Sequence, residues 1–251
     1  MKPLISPKRE ECHTSGLDYL KPEKACTYQV EPATWAVMGN SHAVELAYEL
    51  SKDLKQHGLG VRHFTFSGCP PAFGRTDEHP PGCAAWTDEV VSFLIRTKEI
   101  KVVVLSYRTT RELGHVNLSV QNKMESIRTE SYIKTIHALA NSGKKVFVVL
   151  QAPQITTHVE RIVQSHSGDF SFVPGVSRSL WLISSSPLRS KLSDLPTSAI
   201  VIDPVDSFCK KEYCAAVKNG KALYFDDHHI SLSGAAIISG QIMEHVFGRR
   251  K

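Results

Sequence analysis

The stretch Trp35–Ala43, WAVMGNSHA, decides the fold. An apolar run from Trp35 to Met38 stops at Gly39, Asn40, Ser41 and His42 follow, and Val44, Leu46, Ala47, Leu50 and Leu54 then recur with helical spacing. The pattern predicts a strand, a sharp turn and a helix. A serine on such a turn stands at the C-terminal edge of a sheet, where backbone N–H groups of the helix start face whatever it attacks. Ser41 is therefore the candidate nucleophile. Taken alone, the same four residues Gly39 to His42 also fit a serine that only caps the helix, so the choice between the two readings depends on the rest of the chain.

Outward from this unit, strands and helices alternate. His57-Gly58 ends the first helix, and Gly60 to Ser67 (GVRHFTFS) alternates as a second strand. Residues 72–83 form a Pro- and Gly-rich loop, and residues 85–98 carry helical spacing. Lys101 to Tyr107 (KVVVLSY) is a continuous apolar run of the kind buried on both faces of a parallel sheet. A polar loop runs on to about residue 125, a helix over 126–142 ends at Ser142-Gly143, and Lys145 to Leu150 (KVFVVL) is the fourth strand. Residues 152–198 are the least regular part. Ala199 to Asp203 (AIVID) reads as the fifth strand, Pro204 to Cys214 as a loop and Ser231 to Phe247 as the closing helix. This order predicts an α/β fold of three layers, α/β/α, around a central, mostly parallel five-stranded sheet. Right-handed crossovers then bring every strand's C-terminal end to one edge, and the irregular stretch 152–198 is expected there as a substrate-facing insertion.

The far end of the chain supplies the partners that Ser41 needs. Tyr224 to Ala235 reads YFDDHHISLSGA, with Asp226 three residues before His229, so one local turn can bring a carboxylate to an imidazole nitrogen. A serine, a histidine and a carboxylate are what general-base activation of a hydroxyl requires. Asp227 and His228 are rivals by residue type, and with 12 histidines in the chain the assignment rests on pattern alone.

GNSHA followed far downstream by Asp-x-x-His resembles an SGNH-type domain, over about residues 10 to 250. The likeness is to the extracytoplasmic SGNH domain fused behind the membrane part of family 3 acyltransferases, which O-acetylate bacterial surface polysaccharides. The resemblance implies an SGNH-hydrolase-like fold with Ser41 as nucleophile, His229 as base and Asp226 as the group that orients it, because only these two have the motif's spacing. Gly68 falls where the family's second glycine block lies and is a candidate oxyanion donor beside the Ser41 N–H. Two positions depart from the pattern. Asn40, a further candidate for oxyanion or substrate binding, stands where the family usually has Asp, and Ser106-Tyr107-Arg108 stands in place of the third-block Asn, which makes Arg108 a candidate charged donor. The implied activity is transfer of an acyl group, acetyl first of all, to a hydroxyl of a surface glycan such as lipopolysaccharide O-antigen. A carbohydrate O-acetyl esterase or lipase-like hydrolase would use the same residues, and a non-catalytic glycan-binding module would keep only the fold.

Composition narrows the setting. The 251 residues carry a net charge of +5 with 22% charged and 41% hydrophobic residues, ordinary globular usage. Lys and Arg are scattered, which argues against a nucleic-acid partner. The 6 cysteines fall as close pairs, Cys12 with Cys26, Cys69 with Cys83 and Cys209 with Cys214. Local pairing is the simplest of the connectivities open to them, though buried free thiols remain the alternative. No Cys-x-x-Cys spacing points to zinc, and no phosphate-cradling glycine motif implies a nucleotide, so neither a metal nor a cofactor is expected. Disulfides imply an oxidising compartment. Yet MKPLISPKREEC has no apolar leader core, and no run approaches the roughly 18 apolar residues of a membrane span. The expectation is therefore the periplasmic part of an inner-membrane protein, with the membrane acyltransferase portion upstream as its partner. Residues 1–30 read as an extension tied down by a Cys12–Cys26 bridge, and residues 31–251 as the catalytic domain.

Overall fold

Side chains alternate across a strand, so a run that is apolar at every position must be covered on both faces. In the computed structural model, which describes residues 2–76, 79–112 and 123–248, this is how the central runs are placed. In chain order the strands are β1 (His13–Thr14), β2 (Thr27–Tyr28), β3 (Trp35–Gly39), β4 (Val61–Phe66), β5 (Val102–Ser106), β6 (Lys145–Val149), β7 (Phe172–Ser177), β8 (Ile200–Ile202), β9 (Tyr213–Lys218) and β10 (Lys221–Ala222). Trp35 and Val37 of β3 pack on one side with Leu46, Leu50, Val104, Phe147, Ile238 and Ile242. Ala36 and Met38 point to the other side, among Trp86, Val90, Val103, Leu105, Ile136 and Val148. Helices Val44–Lys55 and Leu232–Phe247 thus cover one face, and Cys83–Arg96 and Lys123–Asn141 the other. The fold is α/β with a mostly parallel central sheet.

The main sheet runs β1-β4-β3-β5-β6-β8, with β2 also on β4. Trp35 pairs with Val61 and with Val102, Val102 with Lys145, and Phe147 with Ile200, all parallel. The five predicted strands are β3, β4, β5, β6 and β8, but among the described residues the sheet has seven strands, not five. The additional pair comes from residues 1–30: His13 lies parallel to Thr65, and Thr27 antiparallel to Arg62. Two-residue strands are too short to show any period in sequence. Their partner β4 would otherwise expose an edge of unpaired amides, which these two segments cover.

A second correction concerns the stretch read as irregular. It contains helix Val159–Ser165 and β7, and β7 joins β9 and β10 in an antiparallel three-stranded sheet that the sequence reading did not foresee. Pro174 and Gly175 sit at register shifts within β7, which hides its alternation. The polar loop expected after Arg108 falls at 113–122 outside the described residues.

All six cysteines are bonded, Cys12–Cys26, Cys69–Cys83 and Cys209–Cys214. On the chain-entropy view each contributes about 2–4 kcal/mol by restricting the unfolded chain. The first of them ties β1 to β2. A buried polar chain holds the same two segments to the sheet: Tyr28 Oη lies 2.6 Å from His63 Nδ1, His63 Nε2 lies 2.6 Å from Thr65 Oγ1, and His13 Nδ1 reaches that oxygen at 2.8 Å.

Burial, with smaller repulsions from His13 and Arg9, pushes the His63 imidazole down to about 3, and burial with Arg9 and His229 pushes His13 down to about 4. Both rings are therefore neutral in the folded chain, whereas the unfolded chain binds protons near the ordinary histidine value of 6.5. The stability they contribute is complete above that value and is lost as pH falls through the window from 6.5 toward about 4. In thermal melts at a series of pH values, the advantage of the wild type over His63→Gln should shrink steadily across this window. An advantage independent of pH would contradict the assignment.

Candidate active site

The turn that carries Ser41, the candidate nucleophile, is set by a close backbone approach. Gly39 ends β3 opposite Ser106 of β5, and a Cβ at Gly39 would lie 1.8 Å from the Ser106 carbonyl oxygen and 2.9 Å from Ala43 Cβ. Only glycine fits. Asn40 then caps a short 3₁₀ turn, Ser41–Ala43, that leads into helix Val44–Lys55. Its Oδ1 accepts from the backbone N–H of His42 at 3.1 Å and of Arg108 at 3.2 Å, so it fastens the end of β3 to the loop after β5. An aspartate carboxylate would accept the same two bonds, which is why Asn40 preserves the turn.

Ser41 Oγ lies 2.8 Å from His229 Nε2, and His229 Nδ1 lies 2.6 Å from Asp226 Oδ2. The other Asp226 oxygen, Oδ1, accepts from the backbone N–H of His228 at 2.8 Å and of His229 at 2.6 Å. Burial opposes ionisation of Asp226, but the bonds from the His229 ring and these two amides outweigh it and hold the carboxyl well below its ordinary range. Asp226 is thus a fixed anion behind His229. The turn is anchored from both sides: Ser231 Oγ accepts from Ser233 and Gly234 N–H at the start of the closing helix, and Ile155 and Val159 N–H donate to the carbonyls of Asp227 and Asp226.

Gly68 lies in the turn after β4 at φ +64°, a left-handed conformation that favours glycine. Because β4 pairs parallel with β3 and β5 lies on the other side of β3, Gly68, Ser41 and Arg108 all follow strand ends at one edge. Arg108 extends a guanidinium N–H to Gln154 Oε1 at 3.3 Å.

Sequence reasoning missed four residues here. Arg9, from residues 1–30, donates from Nη2 to the Ser41 carbonyl at 3.2 Å and forks onto Glu45 at 2.6 and 3.0 Å. Glu45 is 1% exposed in its side chain and also accepts from Ser6 N–H. The guanidinium lies 5.1 Å from the Phe225 ring centre, and that ring stacks on His229 at 5.2 Å and 3°. Arg9 therefore touches the Ser41 turn directly and His229 through Phe225. The one available signal was Glu45 itself, an acidic residue in an apolar helix start beside Ser41. His42 is the fourth: its Nε2 lies 3.1 Å from His228 Nδ1. Burial, then repulsion from neighbouring histidines, puts His42 well below the ordinary value and His228 at about 4, so this pair is neutral. Asp227 and His228 stand outside the Ser41–His229–Asp226 line.

Several solved structures share the fold. The periplasmic domain of a lipopolysaccharide acetyltransferase from Salmonella ser. Paratyphi A superposes with a TM-score of 0.66 at 16% identity, covering 94% of this chain and 90% of that one. An acetyl xylan esterase, AlAXEase, gives 0.51 at 14% identity over 85% of this chain and 99% of the other. An acetyl-xylooligosaccharide esterase variant from Geobacillus Stearmophilus gives 0.52 at 12% identity over 89% and 100%. No curated protein matches this chain in sequence. Residues 11–244 match the family described as SGNH domain (fused to AT3 domains). With nearly its whole length accounted for in that way, the chain belongs to this SGNH domain family.

Proposed function

We propose that this domain is a serine-dependent O-acyltransferase, in which Ser41 takes an acyl group, acetyl in the simplest case, and passes it to a hydroxyl of a bacterial surface glycan such as lipopolysaccharide O-antigen. The observation that carries the reading is the unbroken line from Ser41 Oγ through His229 to Asp226, 2.8 and 2.6 Å long. In the first half-reaction the Oγ–carbon bond forms as the Oγ–H proton moves to His229 Nε2, and Asp226 stabilises the imidazolium. The oxyanion faces the Ser41 backbone N–H, with Gly68 N–H and the Arg108 guanidinium as further donors, each contributing about 3–4 kcal/mol to lowering the barrier. Collapse expels the donor's leaving group, which takes the proton from His229. In the second half-reaction a glycan hydroxyl gives its proton to His229 and attacks the acyl-serine, and collapse breaks the bond from Ser41 Oγ to the acyl carbon as Ser41 Oγ takes the proton back from His229. No step requires a cofactor. Water in place of the sugar would make the same site a carbohydrate O-acetyl esterase.

The family's fusion to AT3 domains supports a membrane acyltransferase domain as the source of the acyl group, with residues 1–30 as the connecting segment and residues 31–251 as the catalytic part. Three disulfides support a periplasmic setting. Among the described residues no helix is long and apolar enough to cross a membrane.

Intact-mass analysis after reaction with a serine-directed phosphonate should give a single adduct on the wild type and none on Ser41→Ala. His229→Ala should also abolish it, and Asp226→Asn should slow it by about 10²–10⁴-fold. A folded, fully disulfide-bonded wild type that takes no adduct would favour a glycan-binding module instead. With an acetyl donor ester, product appearing on added sugar rather than as free acetate separates transferase from esterase.

Arg9→Ala leaves Glu45 buried without its cation and should cost about 3–5 kcal/mol in denaturant unfolding. Adding Glu45→Gln should recover much of that loss, while phosphonate labelling of the double variant stays slow because the contact with the Ser41 carbonyl is gone. Full recovery of both would reduce Arg9 to a purely structural partner of Glu45.

A further inference from the structure

His229 does not stand alone. Its ring centre lies 4.7 Å from that of His42 and 4.0 Å from that of His228, and one nitrogen from each of the three rings lies within 4.8 Å of the others. His42 Nε2 and His228 Nδ1 are 3.1 Å apart. Tetrahedral zinc with Zn–N bonds of about 2.0–2.1 Å sets its ligand nitrogens roughly 3.3 Å apart, so this pair is close to the spacing that a shared ion imposes. One ring has the backing that ligand histidines use, a hydrogen-bonded carboxylate at the far nitrogen, and a second has a carboxylate nearby. His229 Nδ1 is 2.6 Å from Asp226, and His228 Nε2 is 3.9 Å from Asp227. Side-chain exposure of 17% for each of these two histidines leaves the cluster reachable from solvent.

We propose that His42, His228 and His229 form a reversible inhibitory site for a late divalent transition metal, Zn²⁺ above all, since a set of three imidazoles suits that class of ion. The inference rests on the reading of His229 as the base. Its Nε2 lone pair either accepts the Ser41 hydroxyl proton or binds the ion, so occupancy and catalysis exclude each other. Binding replaces the hydrogen bond between His42 and His228. The donor of that bond then carries its hydrogen on its other ring nitrogen, and no covalent bond to carbon changes. Ser41 Oγ, 2.8 Å from His229 Nε2, lies next to the proposed site.

The test uses the intact chain and Zn²⁺ alone near neutral pH. Binding is read by competition with a chromophoric chelator, and the rate of phosphonate labelling at Ser41 is read with and without Zn²⁺ and after EDTA. One equivalent should bind, labelling should slow about tenfold or more at saturation, and EDTA should restore it. His228→Ala and, separately, His42→Asn should weaken binding by about 10–100-fold, and labelling in each variant, compared with its own metal-free rate, should cease to respond to Zn²⁺. Undiminished binding in both variants, binding that leaves wild-type labelling unchanged, or no binding at all overturns the site. Zinc binding lost in the variants while the metal-free wild type takes no label keeps the site and instead removes the proposed nucleophile.

Discussion

Everything at the site depends on how closely β3 passes β5 at its end. Gly39 has no room for even a methyl group against the Ser106 carbonyl, and that contact turns the chain sharply enough to leave Ser41 outside the sheet. Asn40 then locks the turn to the loop after β5 with one oxygen shared between two amides. The proposed nucleophile, Ser41, is thus held by backbone geometry and not by its own side-chain packing. That leaves its hydroxyl free to point at His229. Rigid presentation of this kind is what lets a weak nucleophile sit at reacting distance without an ordering cost at the moment of reaction.

A buried carboxylate draws residues 1–30 into the same arrangement. Glu45 begins the helix behind Ser41 and is shut off from water, a position that is strongly unfavourable without a cation. Arg9, 36 positions earlier in the chain, supplies that cation. Having come, it also binds the Ser41 carbonyl and covers Phe225. The Cys12–Cys26 bond and the Tyr28–His63–Thr65–His13 chain hold the segment that carries it against β4. The segment that the proposed function assigns to connection is therefore wired into the nucleophile turn.

Much of this was legible in sequence because it is local. The runs WAVM, VVVL and VFVV are apolar at every position, and helical spacing follows the first two further along the chain, so the parallel sheet and its layers could be read from period and order. The Asp226-to-His229 spacing and Ser41 on its turn were legible for the same reason. What escaped is non-local or too short to have a period. β1 and β2 exist only because β4 offers an open edge, and β7 conceals its alternation behind Pro174 and Gly175. Arg9 and Glu45 are 36 positions apart, and nothing in either residue's surroundings names the other.

The electrostatic plan of the edge separates one imidazole from its neighbours. His13, His42, His63 and His228 are all pushed down, burial being the main cause in each. Unlike these four, His229 has a carboxylate oxygen in hydrogen-bond contact with its ring, at 2.6 Å, and that carboxyl is itself held ionised by two amides and the ring. His228 has its nearest carboxylate at 3.9 Å. Under the proposed function, the proton leaving Ser41 would meet the one ring of these five that has a fixed anion beside it, among four rings that burial keeps neutral. Low dielectric makes both effects larger than they would be in water. The chain's 12 histidines, alike by residue type in sequence, are thus distinguished in three dimensions by their surroundings, and the proposed base is the one beside a hydrogen-bonded carboxylate.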